Sequence, residues 1–276
     1  MIELGKYCLL TADRKTDNGF YLIDDNRDEV LLPNKYAPEY LNVGGEVEVF
    51  VYLDSEERLI ATTLSPKIKL YEYAFLEVLD VNDHGAYLDW GLEKDLFCPF
   101  REQKNEMQKG ESYVVYLYLD IQSDRLVASS KIDKFIFIDE VDLEPNQEVD
   151  LLIYSESDLG YNAIVNDTFM GLIFRNEVFK PIQVGDKIKG FVKQIREDEK
   201  IDLMLQKQGY ESVEPNSQII LDKLKKANGF LPFTDKSAPE DIKNEFEMSK
   251  KIFKKAIGGL YREKVIRIEK DGIYLS

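Results

Sequence analysis

Histidine and tryptophan occur once each in this chain, as His84 and Trp90, and cysteine twice, as Cys8 and Cys98. A lone histidine excludes the imidazole clusters that hold zinc and leaves no partner for histidine-centred acid–base chemistry. Two isolated cysteines read as reduced thiols, not as a disulfide framework or a metal pair. No run of about 18 apolar residues is present, which argues against a membrane-spanning helix. The start, Met1-Ile2-Glu3-Leu4-Gly5-Lys6, lacks the basic region and apolar stretch of a signal peptide, so a cytoplasmic location is expected. Phosphate-binding glycine loops, nucleophile elbows and zinc spacings are also missing. Neither enzymatic activity nor a bound cofactor or metal is therefore expected.

What the chain does have is a pattern that returns three times. Gly19-Phe20-Tyr21-Leu22 recurs as Gly85-Ala86-Tyr87-Leu88 and as Gly160-Tyr161-Asn162-Ala163. An apolar run follows each: Val30-Leu31-Leu32-Pro33, Leu96-Phe97-Cys98-Pro99 and Gly171-Leu172-Ile173-Phe174. A polar turn ending at Gly44, Gly110 or Gly185 comes next. The offsets are 66 and 75 residues and hold at all three landmarks. Such a repeat sets the architecture before any single residue is interpreted. Within each unit, period-two apolar spacing and β-branched or aromatic enrichment predict five short strands with a long connection before the fourth. That is the pattern of a small Greek-key barrel, the OB-fold. The extra length of the second offset lies at 134–145, where Phe135, Ile136, Phe137 and Ile138 predict a linker that packs.

The tail has another period and another charge. Residues 215–276 hold 13 basic and 9 acidic side chains, against 23 and 43 in the residues before them, within a total net charge of −16. The acidic part argues against non-specific coating of nucleic acid, because phosphate attraction dominates such binding. In the tail we expect three helices. Ser217, Ser237 and Ser249 stand at the caps, and Ile252, Phe253, Ala256, Ile257, Leu260 and Tyr261 form the apolar face of the third. A hairpin over Val265–Ile268 and Ile273–Leu275 follows. Three helices and a hairpin make a winged helix. The expected fold is thus mostly β with a C-terminal α+β domain. The domains are barrels at 1–66, 67–133 and 146–210, the linker, and a winged helix at 215–276.

The three units resemble S1-type RNA-binding domains. The run Gly85-Ala86-Tyr87-Leu88-Asp89-Trp90-Gly91-Leu92 through Asp95-Leu96-Phe97-Cys98-Pro99-Phe100 resembles the conserved virulence factor B (YitL-like) family of bacterial proteins. So does Val115-Tyr116-Leu117-Tyr118-Leu119-Asp120 followed by Ala128-Ser129-Ser130-Lys131. The resemblance covers nearly the whole chain and implies RNA binding and a role in regulating gene expression, including virulence. It directs attention to aromatics on the second and third strands and to a basic residue at the last turn. Here these are Tyr21, Tyr87 and Phe97, with Arg58, Arg125 and Lys200; His84 and Trp90 flank the same face. Aromatic faces serve as stacking platforms for single-stranded bases within a basic groove. The third unit carries Asn162 where the others have Tyr, and Ile195 where Asp54 and Asp120 stand. Each candidate can also be read structurally, the Tyr and Trp as packing residues and the Arg as a solvated residue beside an Asp that bends the turn. On the third C-terminal helix, Lys250, Lys251, Lys254, Lys255 and Arg262 lie off the apolar face and suit phosphates, or simply a solvated surface. The expected partner is single-stranded RNA, bound by a monomer. DNA and ribosomal or transcription proteins remain open, the last through a scaffold in which the barrels dock without touching RNA.

Overall fold

The computed structural model describes residues 1–136, 141–178, 181–205 and 215–276. Strands β1 (Tyr7–Thr16), β2 (Gly19–Ile23), β3 (Glu29–Pro33), β4 (Glu46–Leu53) and β5 (Leu59–Thr62) close a barrel in the order β1-β2-β3-β5-β4. The second unit repeats them as β6 (Tyr73–Asn82), β7 (Gly85–Leu88), β8 (Leu96–Pro99), β9 (Ser112–Asp120) and β10 (Arg125–Ser129). The third does so as β11 (Glu148–Glu156), β12 (Gly160–Val165), β13 (Phe169–Phe174), β14 (Lys187–Ile195) and β15 (Ile201–Met204), again closed. The expected three five-stranded barrels are present. The second differs in one respect. Its sheet runs β10-β9-β6-β7-β8, so β8 and β10 are edges that no ladder joins, whereas β3 pairs with β5 and β13 with β15 in parallel.

The recurrent glycine has a steric cause. Gly19, Gly85 and Gly160 start the second strand of their units with φ near +150°. A Cβ there would lie 2.1, 2.3 and 2.0 Å from the carbonyl oxygens of Leu32, Cys98 and Ile173 on the paired strand. Only glycine permits that approach. A second recurrence is invisible in the sequence. The long first strand slips register by one residue at the same place each time, between Ala12 and Arg14, Val78 and Asp80, and Ile153 and Ser155. These bulges bend the strand so that it serves both halves of the barrel.

The barrels share cores with one another. On β4, Val47, Val49 and Val51 fill the first barrel, while Phe50 and Tyr52 point out of it into the core of the second. Between the second and third, Tyr73 and Val114 meet Leu152 and Ile164, with Ile132 and Ile136 of the connection buried among them. Phe135 stacks on Tyr116 at 4.5 Å. The described part of the expected linker is therefore packed; Phe137 and Ile138 lie outside the described residues, as do 206–210 at the end of the third unit. Cys8 and Cys98 are buried and unpaired, and burial pushes the Cys98 thiol up to about 12, which keeps it protonated and unreactive.

The C-terminal region holds helices α1 (Pro215–Lys226), α2 (Pro239–Phe246) and α3 (Lys250–Arg262). Strands β16 (Phe230–Leu231), β17 (Ile266–Ile268) and β18 (Ile273–Leu275) form a small sheet with β18 in the middle. The expected hairpin is β17–β18, and the short extended piece after α1 joins it as a third strand. Ser249 caps α3, its hydroxyl accepting from the Ile252 amide at 3.3 Å. The other two expected caps are corrected. Ser217 is buried inside α1, its hydroxyl directed at the Ala256 carbonyl on α3. The residue before α2 is Ala238, and Pro239 supplies the first helical position, where its missing amide hydrogen costs nothing. Ser237 instead turns its hydroxyl back to accept from the Thr234 amide. The buried face of α3 is Phe253, Ala256, Ile257 and Leu260; Ile252 and Tyr261 are 40% and 56% exposed and leave the apolar face assigned to them. Among the described residues no helix is long and apolar enough to cross a membrane.

Candidate nucleic-acid interface

The side of the second barrel where β8 and β10 lie together without a ladder is also where its candidate residues meet. Strands β8 and β10, with the turn before β7, line a cleft of about 330 Å3. His84, Tyr87, Phe97 and Arg125 all face it, together with Trp90, Lys94, Asp95 and Glu57. Tyr87 and Phe97 are register partners on β7 and β8. Their rings sit 5.2 Å apart, tilted by 38°, and both are half-buried. The Tyr87 hydroxyl accepts from Asn82 Nδ2 at 3.1 Å, which fixes the ring's outer end. His84 is exposed at the rim, its amide bonded to the Asn82 side chain.

Two residues of this cleft have partners that the sequence did not show. Trp90 is only 3% exposed, wedged against Phe50 and Tyr52 of the first barrel with ring planes nearly perpendicular. Its indole N–H donates to the Lys94 carbonyl at 2.6 Å. Its surface is consumed by packing between barrels, so it walls the cleft and offers no face for a base. Arg125 does not pair with Asp120 across the last turn. Asp120 is held by Arg101 at 2.8 Å. Arg125 Nε reaches Glu57 Oε2 of the first barrel at 2.9 Å, and Lys94 takes the other oxygen of Glu57 at 3.0 Å. The cleft is thus a two-barrel structure. Glu57, Lys94 and Asp95 were not singled out in the sequence; nothing local marks Glu57, which belongs to another repeat.

The equivalent faces of the other barrels are more occupied. In the first, the Arg14 guanidinium lies 4.0 Å over the Tyr21 ring and is itself tied to Glu29 at 2.8 Å. Arg58 binds Asp54 through Nε and Nη2, at 2.9 and 2.7 Å, and Glu56 through Nη1. In the third, Asn162, Leu172, Arg196 and Lys200 border a groove of about 230 Å3. Asn162 is bonded to Ser155, and Lys200, 71% exposed at its side chain, to Asp198. The residue in the acidic slot here is Arg196, not Ile195: its amide bonds the Lys200 carbonyl as the Asp54 amide bonds that of Arg58. Arg196 reaches Asp202 at 2.8 Å and lies 5.6 Å over Phe174. The four-residue spacing to Lys200, the same as from Asp54 to Arg58, is the sequence signal that would have identified it.

On α3, Lys251, Lys255, Gly258 and Arg262 follow helical spacing opposite the buried face. Lys251, Lys255 and Arg262 are exposed. Lys250 is half-buried, and Lys254 lies 3.7 Å from Asp235. A Cβ added at Gly258 or Gly259 would meet nothing within 4 Å, so internal packing does not require these glycines. Among the described residues no group of three or more His, Cys, Asp or Glu side chains is arranged to hold a metal ion.

Comparison with known proteins agrees with this architecture. Residues 4–64 and 72–131 match the S1 domain family, and residues 218–275 match the CvfB-like winged helix domain. The crystal structure of a multidomain protein with nucleic acid binding domains from Streptococcus pneumoniae TIGR4 overlays with a TM-score of 0.50, covering 99% of this chain and 98% of that one at 24% identity. That likeness supports the fold of the whole chain, third barrel included. Conserved virulence factor B of Staphylococcus epidermidis is 28% identical over 93% of this chain and 89% of that protein. The uncharacterized protein YitL of Bacillus subtilis is 32% identical over 98% of this chain and 93% of its own length. Barrels, winged helix and relatives along nearly the full length agree: the chain belongs to the conserved virulence factor B (YitL-like) family.

Proposed function

We propose that this protein binds single-stranded RNA in the cleft of its second barrel and along helix α3, as a regulator of gene expression in the bacterial cytoplasm. The observation that carries this reading is the convergence of Tyr87, Phe97, His84 and Arg125 on one cavity at the β8–β10 side of the second barrel. Two half-buried rings offer a platform for a base, a contact worth roughly 1–3 kcal/mol per base. Arg125 and Lys94 stand beside them to meet the phosphates, at the cost of releasing Glu57. The first barrel plays the lesser part, because Arg14 covers Tyr21 and carboxylates hold Arg58. In α3 the Lys251, Lys255 and Arg262 row suits a phosphate backbone, and the gap at Gly258 permits close approach. The S1 and winged-helix matches support nucleic acid as the partner class.

The test is titration of a fluorescent single-stranded RNA with the full chain at several salt concentrations. Saturable binding is expected, weakened about tenfold or more by Tyr87→Ala with Arg125→Ala. Absence of saturable binding at low salt overturns the reading. A second reading has its own observation. Residues before 215 hold 43 acidic and 23 basic side chains, and Glu57 already neutralises the cleft. A scaffold that docks on ribosomal or transcription proteins would look the same, and it is favoured if the full chain shows no saturable RNA binding; unchanged affinity in the double substitution removes Tyr87 and Arg125 from the site.

A further inference from the structure

Two carboxylates face the cleft, and they are in opposite situations. Glu57 has both oxygens engaged, one by Arg125 and one by Lys94. Asp95, half-buried beside β8, has no hydrogen bond or ion pair from its side chain among the described residues. Its charged neighbours are two further carboxylates, Asp89 and Asp80, which together with burial hold its carboxyl above the ordinary value. The cations are spoken for: Lys67 pairs with Asp89, Lys109 with Asp80, and Lys94 and Arg125 with Glu57. Asp95 is only partly buried, so its carboxylate stays open to solvent and to a ligand entering the cleft.

We propose that Asp95 makes the cleft selective for guanine in single-stranded RNA. This rests on the RNA-binding reading above. An ionised carboxylate only accepts hydrogen bonds, through two oxygens in one plane. A base stacked on Tyr87 or Phe97 would turn its Watson–Crick edge toward such a group. Guanine is the base whose edge presents two adjacent donors, N1–H and the N2 amine, and so makes both bonds at once. Adenine and cytosine present one amine beside an acceptor nitrogen. Uracil presents a single N–H flanked by two carbonyls, which a carboxylate repels. The unpaired Asp95 thus favours guanine by contact and disfavours uracil by like-sign repulsion. The Trp90 N–H, already donated to the Lys94 carbonyl, does not compete for the base.

The experiment uses the full chain and short fluorescent oligouridylates carrying one central guanosine, inosine, adenosine or cytidine, with the all-uridine oligomer as reference, read by anisotropy. We expect the guanosine oligomer to bind about tenfold more tightly than the reference, the span of a single good bidentate base contact. Inosine, which keeps N1–H and lacks the N2 amine, should fall between. Asp95→Asn should abolish the preference while leaving affinity for the all-uridine oligomer the same or higher, with an unchanged circular dichroism spectrum. Equal affinity of the wild-type protein for all five oligomers overturns the assignment, as does a guanosine preference that survives in Asp95→Asn. In either case RNA binding itself stands. Failure to bind any oligomer at low salt removes the RNA reading and this inference with it.

Discussion

Glu57 decides how much positive charge the cleft presents. Its ion pairs with Arg125 and Lys94 are at least one-third exposed on the Glu57 side, and exposed pairs contribute about 0–1 kcal/mol to stability. Glu57→Gln should therefore barely move the melting temperature, while RNA affinity rises several-fold and its salt dependence steepens as both cations are released. Titration at two salt concentrations checks this, and unchanged affinity would remove Arg125 and Lys94 from the phosphate path. Asp95 gives the complementary case. Burial, with Asp89 and Asp80 nearby, raises its carboxyl above the ordinary 3.8. A carboxyl raised on folding favours the folded state at pH below its unfolded value. That contribution is lost as pH rises through the folded value. Asp95→Asn should accordingly raise the melting temperature at neutral pH, and the gain should shrink toward zero as the solution is acidified to about the ordinary Asp range. Thermal melts of both proteins across that range measure it; a gain that persists at acid pH contradicts the sign worked out here.

Among the elements, the turn into the second strand and helix α3 use glycine for different reasons. At Gly85 an added Cβ would meet the Cys98 carbonyl oxygen at 2.3 Å with φ at +154°. Gly85→Ala must push β7 from β8 and should cost about 3 kcal/mol or more, visible as an earlier urea midpoint. In α3 nothing crowds Gly258 or Gly259. Alanine there should stabilise the helix by about 1 kcal/mol per site, because glycine carries an entropic cost in helix interiors. If the gap serves close approach of a phosphate backbone, Gly258→Ala with Gly259→Ala will raise the melting temperature and lower RNA affinity together. A stabilised variant with unchanged affinity would leave α3 without that role. The sequence showed the recurrent turn glycines and the periodicity of α3. It did not show that Ile252 and Tyr261 are exposed, because the helix's rotation against α1 and α2 depends on contacts with residues far along the chain.

At the scale of the whole molecule, Trp90 joins the first two barrels. Its ring fills the space between Phe50 and Tyr52 and the core of the second barrel. Trp90→Ala should cost about 3–5 kcal/mol and lower the urea midpoint. It should also weaken RNA binding, although the ring presents no face to a base, because the wall that holds Lys94 and brings Glu57 against Arg125 would loosen. A midpoint unchanged by this substitution would mean that the barrels do not depend on one another. The second and third barrels are joined in the same way through Tyr73, Ile132 and Leu152, and Gly185 leaves room for the Phe75 ring, which an added Cβ would approach to 2.4 Å.

The number, order and kind of the domains were determined by the sequence alone. Each barrel is specified by local constraints that recur at offsets of 66 and 75 residues: glycine where a carbonyl approaches, alternating apolar residues on the strands, and polar turns between them. Those constraints act over a few residues, so they survive in a linear reading. The tertiary structure decided which candidates share a site and which are consumed elsewhere. Tyr87, Phe97 and Arg125, which line one cleft, were singled out in the sequence because they sit at repeat-equivalent positions. The burial of Trp90 between barrels, the pairing of Glu57 across repeats and the lack of a partner for Asp95 among the described residues were not legible there, because they depend on contacts between repeats. A charge's partner and a ring's free face depend on what folds against them, and no periodicity in the chain encodes that.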